Sequence, residues 1–198
     1  LDLLDALGET GTTRAARARV SLGEALFEQG RYEESLRASL SARDLILAID
    51  PDTPELASLE ANIAVMLDDI GRDDEAEVAY GSAIARCRDV LGATHQMTLL
   101  MEYNLGDLLI QKGDMARGLE LERRAYRGFR EHHADHPDTL FVALGYAVAL
   151  MINGDAAGAH AILGPVLEQA ERVHGEHHPK TALTGAAYGE AMVRTGDP

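Results

Sequence analysis

The chain has 198 residues, of which 46% are apolar but only 5% aromatic, and tryptophan is absent. Its core must therefore consist mainly of aliphatic side chains, a composition that suits closely packed helices. A formal net charge of -15 would repel a phosphate backbone, which argues against direct binding of nucleic acid. The apolar runs are too short to span a bilayer, so we predict no membrane association.

Glycine returns at a nearly constant interval along the chain, at Gly30, Gly71, Gly113, Gly154 and Gly196. An interval of roughly 42 residues that recurs in this way indicates an internal repeat. A second landmark supports the same period, because a larger residue followed by a small one precedes each glycine. These pairs are Leu22-Gly23, Ile63-Ala64, Leu105-Gly106, Tyr146-Ala147 and Tyr188-Gly189.

Apolar residues between the glycines recur at helical spacing, as in Leu56, Leu59 and Ile63, so each repeat is predicted to contain two helices. The glycine ends the first helix in a left-handed conformation, and Asp114 or Asp155 then caps the second helix. First helices are predicted over 13–29, 54–70, 97–112, 138–153 and 179–195, and second helices over 32–48, 73–91, 115–132 and 156–174.

In chain order, residues 1–8 are interpreted as the tail of a preceding second helix, because Leu7-Gly8 matches Leu91-Gly92. Because the sequence starts without Met and ends inside a repeat, we expect it to be an excerpt of a longer protein. Four repeats are predicted over 13–48, 54–91, 97–132 and 138–174, and 179–198 is predicted to be the first helix of a truncated fifth repeat.

The length of the repeat also fits HEAT or armadillo repeats, which have about 40 to 47 residues, but its motifs favour another family. They resemble the tetratricopeptide repeat, and segments 90–95, 136–140 and 178–181 resemble its longer variety in kinesin light chains, also common in bacterial multidomain signalling proteins. This resemblance implies an all-α fold, a solenoid or α-α superhelix of antiparallel helix pairs. The motifs are Leu22-Gly23 with Gly30, Tyr32 and Ser35, and Asn62-Ile63-Ala64 with Gly71, Ala76 and Tyr80.

Three residues depart from the family pattern. Gly118 and Glu122 stand where the family usually has alanine and an aromatic residue, so we expect looser packing in the third repeat. Pro165 lies inside a predicted second helix, where a proline removes a hydrogen bond, so we predict a bend there.

The resemblance implies a concave peptide-binding groove lined by the first helices. Asn62 and Asn104, which stand at matching positions of successive repeats, look like the groove asparagines of the family, whose amides pair with a peptide backbone. The alternative is that they bond neighbouring helices. The groove residues implied are Glu24, Glu28, Asn62, Tyr103, Asn104, Asp107, Phe141, Leu144, Val148 and Met151.

The apolar members of this set, Phe141, Leu144, Val148 and Met151, form either an anchor pocket for a hydrophobic side chain or part of the core between repeats. Acidic residues at one end of the groove and apolar residues at the other predict a partner with basic and hydrophobic portions. A stripe of Arg123, Arg127 and Arg130 on a second helix is interpreted as solvent-facing.

Six histidines concentrate in two successive connections between repeats. A zinc or nickel site is one interpretation, but histidine before proline also suits a helix start, which we favour. We therefore predict no metal, no cofactor and no catalytic residue, and the sequence carries no phosphate loop or nucleophile motif. The six are His132, His133, His136, His174, His177 and His178.

Taken together, these features predict a module that binds a protein or peptide, serving as a scaffold or regulatory part of a larger bacterial signalling protein. One alternative is a peptide-sensing regulator, and another is a metal-dependent enzyme that uses the histidines. The single Cys87 is predicted to be a small core residue, and its lack of a disulfide partner favours a cytoplasmic location. Exposed apolar faces at the repeat ends predict some self-association.

Overall fold

The computed structural model describes residues 13–196, and this part of the chain contains nine α-helices and no strand. The all-α fold class is therefore confirmed, and each helix boundary lies within one residue of its predicted position. Residues 1–8, interpreted as a helix tail, lie outside the described residues. The helices are α1 Thr13–Glu28, α2 Tyr32–Ile49, α3 Pro54–Asp69, α4 Asp73–Val90, α5 Gln96–Gln111, α6 Met115–His132, α7 Pro137–Ile152, α8 Ala156–His174 and α9 Pro179–Thr195.

The chain divides into two compact units, and the division falls within α5, after Met101. In unit 1, α1 packs on α2, α2 on α3 and α3 on α4. In unit 2, α6 packs on α7, α7 on α8 and α8 on α9, and α9 also touches α7. None of the helices described between residues 13 and 196 has both the length and the apolar character needed to cross a membrane.

The turns inside the helix pairs follow the predicted pattern. Gly113 and Gly154 have φ angles of 90° and 88°, a left-handed backbone that favours glycine. The carboxylates of Asp114 and Asp155 then cap α6 and α8 by accepting hydrogen bonds from backbone N–H groups three residues on. The predicted glycine turns and aspartate caps are thus confirmed.

Histidine starts the first helix in three successive repeats. The Nδ1 atoms of His136 and His178 each accept a hydrogen bond, at 3.2 Å, from the backbone N–H two residues on, and proline occupies the first turn. His95 caps α5 in the same way. The interpretation of histidine as a helix-start residue is therefore confirmed at His136 and His178.

Helices α5 and α6 approach each other closely at two glycines. A Cβ atom added to Gly118 would lie 2.6 Å from the carbonyl oxygen of Gly106 and 2.5 Å from Cγ1 of Ile110. No larger residue fits this contact without displacing backbone, so the expectation of looser packing at Gly118 is wrong. Glycine instead brings the helices closer than alanine would allow.

Glu122 lies one helical turn after Gly118 and is buried at the same interface, with 1% of its surface exposed. Its Oε2 atom has no hydrogen-bond partner among the described residues. Desolvation, and to a smaller extent the negative charge of Asp107, raise the pKa of this carboxyl to about 8. The hydroxyls of Tyr103 and Tyr146 are the other titratable groups that interact with it. Glu122 is thus a neutral acid at neutral pH.

Helix α8 continues without interruption through Pro165. Pro165 and Ala161, the residue whose carbonyl loses its helical partner, are both exposed, so this carbonyl faces the solvent side of the helix. The proline therefore interrupts one hydrogen bond without ending the helix, and the bend stays a prediction.

We expect Gly118→Ala to lower the free energy of unfolding by about 1–3 kcal/mol, because the added methyl group meets backbone and Ile110. Gly81→Ala is the matched control, since nothing lies within 4 Å of the added atom on this exposed part of α4. This control should gain about 0.5–1 kcal/mol from its higher helix propensity. Urea denaturation followed by circular dichroism measures both changes. Equal gains for the two variants would contradict the close contact of α5 and α6.

We expect Glu122→Gln to remove a pH dependence of stability. The pKa of Glu122 is raised from an ordinary value near 4.5 to about 8, so the folded state binds the proton more tightly than the unfolded state. The contribution of Glu122 to the free energy of unfolding is therefore fully present below pH ~4.5. It is lost, by on the order of a few kcal/mol, as the pH rises to ~8. The glutamine variant lacks this fall. Glu168→Gln, at an exposed position of α8, should keep it, and a wild-type stability that rises over this range would contradict the assignment.

Candidate binding surfaces on the first helices

In unit 1, three of the predicted groove residues line one cavity. Glu24 and Glu28 of α1 face Asn62 of α3 across a space of about 280 Å³. The two carboxylates are four residues apart and therefore lie on the same face of α1. The rest of the lining is mainly apolar and consists of Val20, Phe27, Ser39, Leu59, Val65 and Met66.

The side chain of Asn62 is exposed and forms no hydrogen bond with any residue that the structure describes. The same is true of the half-buried Asn104 in unit 2. The alternative that these amides bond neighbouring helices is therefore not seen within residues 13–196. Each amide has a donor and an acceptor available for a ligand, which is the property that recognition of an extended backbone requires.

Negative charge in the unit 1 cavity is not compensated. Within the described residues neither Glu24 nor Glu28 forms an ion pair, and both are exposed. The rest of the cavity lining is mainly apolar and includes the ring of Phe27. This arrangement suits a ligand that presents a basic side chain beside an apolar one.

In unit 2, an apolar strip runs along α7. Phe141 is 53% exposed and Val148 is 37% exposed, and Leu144 lies half-buried between them. The edge of the buried Tyr103 ring packs against Phe141 with the ring centroids 5.1 Å apart. Such an edge-to-face pair holds the exposed Phe141 ring in one orientation, as an anchor site requires.

Met151 does not belong to this strip at the surface. It is 5% exposed and packs in a core cluster with Ala159, Leu163 and Ala191. Of the two interpretations of the apolar run, the core interpretation therefore applies to Met151 and to the half-buried Leu144, which packs against the same cluster. Phe141 and Val148 lie at the surface, and their role as an anchor stays a prediction. Asp107 is exposed and accepts a hydrogen bond of 2.8 Å from Gln111.

Gly145 makes the position of Tyr103 possible. A Cβ atom at Gly145 would overlap the hydroxyl and ring of Tyr103, so any side chain there would displace the tyrosine. Burial raises the pKa of the Tyr103 hydroxyl, which keeps this group neutral. Tyr103 thus packs beside the exposed residues of the unit 2 surface. Gly145, in the first helix of the following repeat, leaves the space that the tyrosine ring occupies.

Among the residues of the unit 1 cavity that sequence reasoning missed are Val20 and Phe27. They lie seven residues apart on α1, with Glu24 between them, and both are half-buried, so a search for apolar residues at helical spacing beside Glu24 would have found them. It also missed that the arginine stripe on α6 borders a cleft, since that cleft depends on side chains from two other helices.

The histidines do not form a metal site in the part of the chain that the structure describes. Over residues 13–196, no group of three or more histidine, cysteine, aspartate or glutamate side chains is placed to hold an ion. The rings of His174 and His178 stack with centroids 4.7 Å apart, and His178 uses its Nδ1 atom as a helix cap.

Comparison with known proteins agrees with this geometry. Residues 14–89 match the tetratricopeptide repeat family. BtubC (BKLC) from P. vanneervenii has a TM-score of 0.80 at 16% identity, with 97% of this chain and 85% of that chain covered. A protein described as a kinesin light chain of Podosopora anserina with nearly identical TPR-like repeats has a TM-score of 0.74 at 18% identity, with 91% and 86% covered.

A third solved structure, the Rap protein complexed with Competence and Sporulation Factor, has a TM-score of 0.66 at 16% identity, with 90% of this chain and 53% of that chain covered. No curated protein matches the sequence. At these identities the solved structures show the fold alone. The repeat match covers residues 14–89, and the chain shares the helix-pair fold of these solved structures.

Proposed function

We propose that this chain is a non-catalytic module whose first helices bind an extended peptide segment of a partner protein. Tetratricopeptide repeats generally serve as scaffolds for protein–protein interaction, and the described surface offers two regions suited to that role. The proposal rests chiefly on Asn62, whose unpaired amide lies in an apolar cavity beside two uncompensated carboxylates.

The chemistry of the two surfaces defines the ligand class. In unit 1, Glu24 and Glu28 favour a lysine or arginine side chain, and Asn62 pairs with the peptide backbone beside it. In unit 2, Phe141 and Val148 favour an aliphatic or aromatic side chain. We therefore expect binding of peptides that combine basic and hydrophobic residues.

A second candidate function, that of a peptide-sensing regulator, is supported by the likeness to the Rap protein, which was solved with a bound factor. In both cases we propose that the chain acts within a larger bacterial signalling protein in the cytoplasm. Cys87 is fully buried and burial raises the pKa of its thiol, as suits a small core residue. Leu183 and Val193 of α9 are exposed and favour self-association.

The alternative of a metal-dependent enzyme has little support. Of the histidines on which it depends, His136 and His178 use Nδ1 to cap helices. Their backbone partners in α7 and α9 fix these rings at the helix starts, so their positions follow from the repeat itself.

Selection of a phage-displayed random peptide library on the purified chain tests the proposed function. We expect enriched peptides to combine basic and apolar residues. Asn62→Ala should weaken the binding of such a synthetic peptide by roughly two- to tenfold in fluorescence anisotropy, because one net hydrogen bond contributes about 0.5–1.5 kcal/mol. Asn104→Ala should have an effect of similar size if the peptide reaches unit 2.

Asn153→Ala is the matched control, because Asn153 is exposed at the end of α7 and away from both surfaces. Its affinity for the selected peptides should equal that of the wild type. Unchanged affinity in the variant with both Asn62→Ala and Asn104→Ala would show that the peptides bind elsewhere and that the assigned surfaces are wrong.

A further inference from the structure

A second kind of cleft lies in unit 2, bordered by the second helices α6 and α8 and floored by α7. It encloses about 260 Å³. Three arginines of α6, Arg123, Arg127 and Arg130, stand along one side, and none of the groove residues considered above borders it. The remaining lining residues are Tyr126, Tyr146, Leu150, Asp155, Gly158 and Ile162.

Unit 1 has a cleft at the corresponding place, of about 580 Å³, between α2, α3 and α4. Equivalent residues of the two clefts are separated by two repeats in the sequence, the same offset that separates Gly30 from Gly113. At equivalent positions Leu40 corresponds to Arg123 and Leu47 corresponds to Arg130. The repeat therefore builds this cleft more than once, and only the copy in unit 2 carries arginines at both positions.

Positive charge in the unit 2 cleft is largely uncompensated. Arg127 and Arg130 are exposed, and neither forms an ion pair within the described residues, whereas Arg123 pairs with Glu120. The guanidinium of Arg130 lies 5.3 Å from the centroid of the Tyr126 ring, which holds it at the edge of the cleft. The cleft is thus a positively charged patch on a chain whose net charge is -15.

Among the lining residues that the structure describes, Asp155 is the one carboxylate. One of its oxygens accepts a hydrogen bond of 2.8 Å from the backbone N–H of Gly158 at the start of α8. Asp155 keeps its negative charge but forms no ion pair with Arg127 or Arg130 in the described part of the chain. An external anion would meet two guanidinium groups that form no ion pair within the described residues, and Arg130 donates one hydrogen bond of 3.5 Å to the Tyr126 hydroxyl.

The floor of the cleft is apolar and aromatic. Tyr146 and Leu150 are each 9% exposed, and the rings of Tyr126 and Tyr146 lie 5.5 Å apart. Ile162 of α8 closes the far side. A ligand that carried charge alone would leave this apolar surface in contact with water. The complementary ligand therefore has an apolar group as well as negative charge.

We propose that this cleft binds an acidic polypeptide segment that places an apolar side chain between Tyr146 and Ile162 and carboxylates against Arg127 and Arg130. Arg127 and Arg130, the two arginines that form no ion pair in the described residues, are separated by roughly 4.5 Å along the axis of α6, given a rise of about 1.5 Å per residue. A free phosphate would leave the apolar floor uncovered, whereas a polypeptide segment supplies an apolar side chain together with its carboxylates. The site is distinct from the proposed peptide surfaces, whose charge has the opposite sign.

Fluorescence anisotropy with a fluorescein-labelled peptide of alternating glutamate pairs and leucines tests the proposal. We expect measurable binding that weakens as salt is added, because the contacts are exposed ion pairs. The variant with Arg127→Glu and Arg130→Glu should lose at least about tenfold in affinity. Arg127→Gln with Arg130→Gln should show a smaller loss in the same direction, and unfolding curves establish that both variants are folded.

Arg172→Glu is the matched control, since Arg172 is an exposed arginine of α8 without an ion pair in the described region. It should bind the peptide as the wild type does, and so should the variant with Asn62→Ala and Asn104→Ala, which separates this site from the proposed function. Wild-type affinity in the Arg127→Glu and Arg130→Glu variant, or equal affinity for a peptide with glutamine in place of glutamate, would overturn the proposal. Displacement by inorganic phosphate beyond the effect of equal ionic strength would instead reveal a phosphate site and would also overturn it.

Discussion

Close approach of neighbouring helices at small residues is the constraint on which the described surfaces depend. In unit 1 the hydroxyl of the buried Ser35 donates a hydrogen bond of 2.6 Å to the carbonyl oxygen of Gly23, and in unit 2 Gly106 meets Gly118. Because these contacts involve the backbone directly, they fix the separation of each helix pair more firmly than long side chains would. The positions of the carboxylates, amides and rings on the first helices follow from that separation.

Local signals made the helices predictable, and non-local contacts limited the prediction of the surfaces. Gly113 and Asp114 mark a helix end and the next helix start within two residues, so periodicity and capping suffice to place the boundaries. The burial of Met151 was not predictable in this way, since its spacing from Val148 suits the surface strip as well as the core. Only contacts with Ala159 and Ala191, on two other helices, distinguish the two interpretations.

The same limit applies to the arginine stripe. On α6 alone, Arg127 and Arg130 suggest a solvated helix face, and the structure does leave them exposed. Their neighbourhood becomes a cleft because Tyr146 and Ile162 come from helices that follow later in the chain. Exposure was thus predictable from the helix pattern, whereas concavity was not, because concavity is a property of several helices together.

Gly145 and Tyr103 lie in successive repeats, and Gly145 cannot gain a side chain while Tyr103 keeps its place. Gly145 stands in the register of Asn62 and Asn104 within its own helix pair, and the volume that a side chain would occupy there is taken by the ring of Tyr103. A larger residue at this position would require a smaller residue in place of the tyrosine, and loss of the tyrosine would in turn leave Phe141 without its edge contact. In relatives with this fold, a side chain at the position of Gly145 should therefore occur together with a smaller residue at the position of Tyr103.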